Sequence, residues 1–312
     1  MKCPTPPATV VITTKNRKED LRRAIASALE QTILPEIIVI DDGSTDGTCQ
    51  MVLDEFPQIH LQTATLSRGY IVQRNVGARL ASAPFIFSID DDAEFASSRT
   101  IEQTLREFDD DRIGAVAIPF INVNQNQRIH QRADNPEHVQ VSAWFIGTAH
   151  ALRRDIFLDL GGYREILIHQ GEESDYGVRL LNEGYVIRLG SADPIHHFES
   201  PRRDYRRMDY FGRRNDILFG WFNAPLVYLL PHWLATTWNG LRFGFKIGRP
   251  WQMAKGLVGG YLTVMTHLFS RKPVRTRSFK LFRRLRISGS LPFGEIAQGL
   301  PSPTMSSRFC ES

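Results

Sequence analysis

Three consecutive aspartates, Asp90, Asp91 and Asp92, follow a short apolar run over residues 84–89. An apolar run of this length, bounded by turn residues, predicts a buried strand. The carboxylates then leave together at its C-terminal end, where open α/β sheets place ligands. Carboxylates this crowded resist joint ionisation unless a cation offsets them. Hard oxygen donors suit Mg²⁺ or Mn²⁺ bridging to a diphosphate. The same residues also fit a solvated acidic turn capping the next helix at Ser97 or Ser98.

Two further acidic clusters stand at comparable places. Asp41-Asp42-Gly43-Ser44-Thr45-Asp46-Gly47-Thr48 leaves a second predicted strand, and Ser44 or Thr45 can cap the helix that follows. A carboxylate there can also accept the N3–H of a uracil-type base. Glu172-Glu173-Ser174-Asp175 opens a predicted helix, where carboxylates are favoured by the helix dipole whatever else they do. Further on, His196 and His197 follow a predicted strand. The run Tyr210-Phe211-x-Arg213-Arg214-Asn215 offers arginines that fit either a phosphate clamp or a solvated helix face.

The elements that must position these groups alternate. Strands are expected over 8–13, 36–40, 59–63 and 85–89, with helices over 18–31, 45–56 and 69–81. Repeated βαβ predicts a mostly parallel sheet covered by helices on both faces, an α/β fold. A polar stretch over 122–138 reads as a surface loop or insertion. Apolar character returns over 141–146 and 149–160, then a helix is expected over 172–184 with Gly184 as its stop.

From Pro201 the chain changes character, giving expected divisions at 1–220, 221–287 and a disordered tail rich in Ser, Pro and Gly over 288–312. Residues 1–200 hold 19 Lys and Arg against 29 Asp and Glu, whereas 201–286 hold 18 against 3. A segment so basic seeks polyanions: anionic lipid headgroups, nucleic acid or phosphorylated substrates. Two apolar stretches, 226–238 and 257–269, fall short of the roughly 20 residues that span a bilayer and read as interfacial or packed helices. Over 278–287, Phe279, Phe282 and Leu285 recur every three positions beside Lys280, Arg283, Arg284 and Arg286. That pattern predicts an apolar edge and a cationic face on an anionic membrane, or else a basic face that recruits a phosphorylated acceptor; Trp221, Trp233, Trp238 and Trp251 fit either the membrane interface or a packed core.

Three cysteines (Cys3, Cys49, Cys310) without CxxC spacing imply neither a disulfide framework nor a zinc site, and fit a reducing, cytoplasmic setting. Residues 1–8 carry no apolar core of a secretory signal. With no GxGxxG, GxxxxGK[ST] or GxSxG, the chain gives no support to dinucleotide-dependent hydride transfer, P-loop phosphoryl transfer or an α/β-hydrolase.

Taken in order, Val10–Arg17 (VVITTKNR), Gln31-Thr32, Ile37 to Thr48, Arg74-Asn75-x-Gly77, Ile89 to Asp92, Gly161-Gly162-Tyr163 and Gly171-Glu172-Glu173-x-Asp175 with Arg179-Leu180 and Gly184 resemble glycosyltransferase family 2, over about residues 8–220. The Tyr205 to Asn215 segment is similar to its bacterial rhamnosyltransferase-like members. The resemblance implies a GT-A fold, here with a C-terminal basic helical extension, and inverting transfer from a nucleotide-diphosphate sugar to a glycan or lipid-linked acceptor in cell-surface glycan assembly. By position it implies that Thr14 and Asp42 hold base and ribose, with Arg74 near the nucleotide. Asp90, Asp91 and Asp92 would serve the ribose and a diphosphate-bound Mn²⁺ or Mg²⁺, which His197 assists, and Arg214 would meet phosphate. Glu173 stands where the family places its base; the family more often has Asp there, so Asp175 and Glu172 remain stand-ins. In such chemistry a carboxylate takes the acceptor hydroxyl's proton while a cation offsets charge on the departing diphosphate. Peripheral contact with the inner face of the cell membrane is expected, and nucleic acid is not. The rival readings are a nucleotidyltransferase and a non-catalytic polyanion-binding protein.

Overall fold

The computed structural model describes residues 5–135, 138–199 and 204–303. The change of character at Pro201, Cys3 and Cys310, and the last part of the expected tail lie outside them. The first half runs β1 (Ala8–Thr14), α1 (Lys18–Leu29), β2 (Glu36–Asp41), α2 (Thr48–Glu55), β3 (His60–Thr63), α3 (Tyr70–Leu80) and β4 (Phe85–Asp90). Every residue of β1 is buried, as expected of a strand covered on both faces. On α1 the residues Leu21, Ala24, Ile25 and Ala28 form the single apolar stripe that docks it on the sheet.

There follow β5 (Ala93–Phe95), α4 (Thr100–Arg106), β6 (Ile113–Ala117), β7 (Phe120–Asn122), β8 (Ile129–His130), β9 (Gln140–Ser142), β10 (Ala149–Arg153), α5 (Arg154–Asp159), α6 (Glu172–Asn182), β11 (Val186–Leu189) and β12 (Ile195–His197). The chain closes with α7 (Tyr205–Asn223), α8 (Leu226–Lys246), α9 (Pro250–Thr266), α10 (Thr276–Ser288), β13 (Leu291–Pro292) and α11 (Phe293–Ile296).

The main sheet has the order β13-β9-β11-β6-β10-β4-β1-β2-β3. The β4-β1-β2-β3 block is parallel, as the βαβ alternation requires. Beyond β4 the sheet is mixed rather than mostly parallel, because β10 pairs antiparallel with both β4 and β6. A second sheet, β5-β12-β7-β8, stands beside the end of β4. Part of the expected polar loop therefore belongs to a small sheet.

The C-terminal region departs from expectation in three ways. Helix α7 runs unbroken across residue 220 and packs into the main body, with Ile217, Leu218 and Phe222 in the core. Small residues admit α9 against it: a Cβ on Gly260 would lie 2.9 Å from the Arg214 carbonyl oxygen and 2.8 Å from Ile217 Cβ. The apolar edge of α10 is spent inside the protein rather than on a membrane. Phe279, Phe282 and Leu285 are fully buried, and Phe282 stacks on Phe219 with ring centroids 5.4 Å apart. Burying such side chains contributes about 2 kcal/mol each, so this face is not free for lipid. Nor are residues 289–303 a disordered tail: β13 pairs with β9, Ile296 and Leu300 are buried, and Arg277 donates to the Gln298 carbonyl.

Candidate active site

Strands β1, β2 and β4 end side by side, with Thr14 paired to Asp41 and Thr13 to Asp90. The aspartates of the triplet then diverge. Asp91 accepts from Thr14 Oγ1 at 2.8 Å, and Arg17 bridges Asp91 and Asp92. Both aspartates are buried, which removes the solvated-turn reading, and Ser97 and Ser98 do not cap α4 with their side chains. Burial, with Asp92 and Asp90 alongside, pushes Asp91 up to about 7 despite Arg17. Burial acts the same way on Asp92, but His197 and Arg17 hold it below the usual carboxylate range.

The small sheet delivers His197. It pairs with Ala93 of β5 on one side and Asn122 of β7 on the other, so its ring faces the end of the aspartate triplet. Nδ1 lies 2.7 Å from Asn122 Oδ1 and Nε2 lies 3.2 Å from Asp92 Oδ1. With Nδ1–H donated to Asn122, Nε2 presents a lone pair to a carboxylate oxygen, an arrangement that calls for a proton or a metal ion between them. Asp90, Asp92 and His197 each place a ligand atom within 4.8 Å of the other two. Two oxygens and one imidazole nitrogen suit Mn²⁺ or Mg²⁺ with open positions left for ligand oxygens.

Arg74 ties this group to α6. Its guanidinium donates to Asp90 Oδ1 at 2.6 Å and to the Gly147 carbonyl at 3.0 Å, lies 3.4 Å from Glu172 Oε1, and covers the Tyr70 ring. Burial opposes its charge, but Asp90 and Glu172 keep it protonated. The register of β10 on β4 sets Thr148 beside Asp90, and its hydroxyl donates to Asp90 Oδ2 at 2.9 Å. Gly147 leaves room for both partners: a Cβ there would come within 2.7 Å of Arg74 Nη1 and 3.0 Å of Glu173 Oε1.

The three acidic residues of α6 have separate surroundings. Glu172 is fully buried between Arg74 and Tyr70. Asp175 is fully buried and saturated, accepting from Arg164 and Arg179 at 2.9 Å and from Asn223 at 2.7 Å. Only Glu173 is partly open to solvent, against Gly147. Burial drives both Glu172 and Glu173 above the usual carboxylate range, and their mutual repulsion adds to it for Glu172.

Two expected ligand contacts are otherwise engaged. Asp42 accepts from Ser67, Gln73 and the backbone N–H groups of Arg68 and Gly69, so its carboxylate braces the loop leading into α3. Arg214 forms neither an open clamp nor a solvated face: it is buried and donates to the Ile166 carbonyl and Asn215 Oδ1, both at 2.9 Å. Its neighbour Asn215 donates to the carbonyls of Leu167, His169 and Gln170 within 2.8 Å. These residues form the turn before α6, where Ile168 and Gln170 take positive φ values of 63° and 67°. A β-branched residue in that region is strained, and the three bonds hold it there.

Sequence reasoning did not single out Arg17, Asn122, Gly147 or Thr148 as site residues. Arg17 lay within the Val10–Arg17 motif, but the other three carry no local signal because register alone brings them in.

The model of the family described as Glycosyl transferase family 2 matches residues 9–164, half of the chain. The chain belongs to this family and is a glycosyltransferase with a GT-A fold. It is 30% identical over 202 residues to the succinoglycan biosynthesis protein ExoU of Rhizobium meliloti (strain 1021), covering 58% of each chain. It is 24% identical over 279 residues to the N-acetylglucosaminyl-diphospho-decaprenol L-rhamnosyltransferase of Mycobacterium tuberculosis, covering 72% of this chain and 90% of that one. Among solved structures it resembles the mannosyltransferase PcManGT from Pyrobaculum calidifontis in complex with GDP-Man and Mn²⁺, with TM-score 0.57, 18% identity and coverage of 94% and 84%. It also resembles S. aureus TarS 1–349 in complex with UDP-GlcNAc, with TM-score 0.61, 16% identity and coverage of 90% and 87%.

Proposed function

We propose that the protein is an inverting glycosyltransferase that moves a sugar from a nucleotide-diphosphate donor to a hydroxyl of a glycan or lipid-linked acceptor, in cell-surface glycan or glycolipid assembly at the inner face of the membrane. One observation carries the reading. The cluster of possible metal ligands, Asp90, Asp92 and His197, is linked through Arg74 and Glu172 to the start of α6, which carries Glu173, the one carboxylate of the α6 cluster left partly open. A divalent cation, Mn²⁺ or Mg²⁺, bound by Asp92, Asp90 and His197 would offset the charge gained by the departing diphosphate.

The chain's own residues supply the rest. The nucleoside lies over the ends of β1 and β2, bounded by Thr14, Asp91 and the loop that Asp42 braces. Asp90 would hold the ribose and the cation together, with Arg74 and Thr148 fixing its carboxylate. Glu173 takes the proton of the acceptor hydroxyl as it attacks the anomeric carbon from the face opposite the leaving group, and this single displacement inverts the centre. Its raised proton affinity suits that task better than an ordinary carboxylate. Glu172 and Asp175 hold the turn in place, and Arg214 acts through the same turn. The relatives' names point to surface polysaccharides and a lipid-diphosphate acceptor, and the structural neighbours to both uridine and guanosine donors.

The test is to incubate the chain with a panel of nucleotide sugars and Mn²⁺ or Mg²⁺, following nucleoside diphosphate release and the anomeric configuration of the product by NMR. Nucleoside diphosphate and an inverted product are expected. Pyrophosphate release would indicate a nucleotidyltransferase, and a retained configuration would remove Glu173 as base of a single displacement.

A further inference from the structure

Thirteen of the twenty-two exposed large apolar side chains among the described residues fall between Leu226 and Phe269. They are ordered. On α9, Trp251, Val258, Leu262, Met265 and Phe269 recur at helical spacing to form one exposed stripe that runs past the helix end, broken only by Lys255, whose ammonium sits 5.7 Å from the Trp251 ring. On α8, Val227, Leu230, Leu234, Trp238 and Phe245 form a second, broken only by Arg242. The opposite faces of both helices are used internally: Gly240 lies against Arg213, Gly256 against the Tyr210 backbone, and Gly244 against Met253. Each helix thus has one face filled by protein and one apolar face open.

No helix among the described residues is long and apolar enough to cross a membrane. A 21-residue helix with an apolar stripe can instead lie flat, presenting about 30 Å of apolar edge. Charge selects the occupant. Between Asp216 and Glu295 the chain has no acidic residue and twelve Lys or Arg, among them Arg242, Lys246, Lys255, Arg271 and Lys272. Arg249 and Arg284 already pair with Asp209 and Glu295, but no carboxylate on α8 or α9 answers Arg242, Lys246 and Lys255. A second copy seated on this face would set these cations against their own kind, whereas an anionic headgroup layer answers them. Trp238 and Trp251, each about 70% exposed, are side chains that favour the headgroup boundary.

We propose that the open face of the α8–α9 hairpin docks this protein on an anionic lipid bilayer, its apolar stripes entering the headgroup boundary and its cations contacting the lipid charges. This surface differs from the α10 edge that the sequence pattern favoured. It deepens the membrane contact in the proposed function and rests on that reading only for its purpose. Because α7 carries both the packing surface of α8 and α9 and the Asn215 side chain that holds the turn before α6, docking sets the orientation of the site toward the lipid surface.

The experiment is flotation of the full chain with phosphatidylcholine vesicles containing phosphatidylglycerol, compared with phosphatidylcholine alone, at low and high salt. Flotation is expected only with the anionic vesicles and is expected to weaken with salt. The double variant Trp238→Glu, Leu262→Glu should lose flotation while keeping its melting temperature and its hydrolysis of donor in water. Hydrolysis measured alongside separates a failure of docking from a failure of the glycosyltransferase reading. The proposal is overturned by a folded chain that stays unbound on anionic vesicles at low salt, or by a double variant that floats like the parent. It is equally overturned by a dimer in light scattering that the same substitutions dissociate without any flotation of the parent.

Discussion

His197 Nε2 and Asp92 Oδ1 face each other at 3.2 Å, while the other ring nitrogen of His197 is held by Asn122. If a divalent cation binds here, it occupies the space that these two atoms and Asp90 share. Asp92→Asn should therefore remove the rise in melting temperature caused by Mn²⁺ alone and leave the metal-free fold intact. Saturating a site to about 100 times its Kd contributes about 2.7 kcal/mol, so the difference is readily measured. A thermal shift with Mn²⁺ that survives in Asp92→Asn excludes Asp92 as a ligand.

Glu173 and Asp175 should respond differently although they are two residues apart. Glu173→Gln is expected to cut transfer by about 10²–10⁴-fold with donor affinity nearly unchanged, as for loss of a general base. Asp175→Asn should instead lower stability by about 3 kcal/mol, because it breaks a buried carboxylate's pairing with two partly buried arginines. Urea melts and steady-state kinetics on the two variants separate the roles. Glu173→Gln at parental turnover would return the assignment to its neighbours.

The first half of the fold was legible because its signals are local. Apolar runs such as Val10–Ile12 and the stripe Leu21, Ala24, Ile25, Ala28 identify strand and helix without any knowledge of partners. The strand-end positions of the candidate residues Asp42 and Asp90 to Asp92 followed from the same elements. What stayed hidden depends on pairing between distant segments. The two- and three-residue strands β7 and β8 lie in a polar stretch, yet β7 brings Asn122 to His197. Nothing near Phe279 or Phe282 distinguishes an apolar edge spent on Phe219 from one offered to lipid. Likewise, Arg214 reads as a phosphate ligand until the Ile166 carbonyl is placed against it.

Asn215 gives a prediction that tests the turn before α6. Its amide donates to three carbonyls, and Ile168 and Gln170 between them hold positive φ. Asn215→Ala removes those bonds and lets the turn relax, displacing Glu173 without touching it. Since misplacing a reacting group by about 1 Å costs up to about 10²-fold, turnover should fall by roughly that factor with a smaller change in donor KM. Hydrogen exchange over residues 166–171 should accelerate in the same variant. Unchanged exchange in a variant with reduced turnover would point to a role other than holding the turn.

The paired glutamates of α6 give opposite pH signatures for stability and rate. Burial raises Glu172 and Glu173 above their unfolded value of about 4.3, so between that value and the raised folded values the native state binds more protons than the unfolded chain. Stability contributed by this pair is therefore present at low pH and declines as pH rises through that window, because deprotonation leaves charge in a buried site. Glu172→Gln removes one titrating group and should flatten the decline, which urea midpoints measured across the window will show. Turnover should run the other way: Glu173 acts as a base only after losing its proton, so the acid limb of kcat should lie above about pH 4.3 and vanish in Glu173→Gln. An acid limb that persists unchanged in Glu173→Gln assigns the titration to another group, and an unaltered stability slope in Glu172→Gln shows that Glu172 keeps its charge when folded.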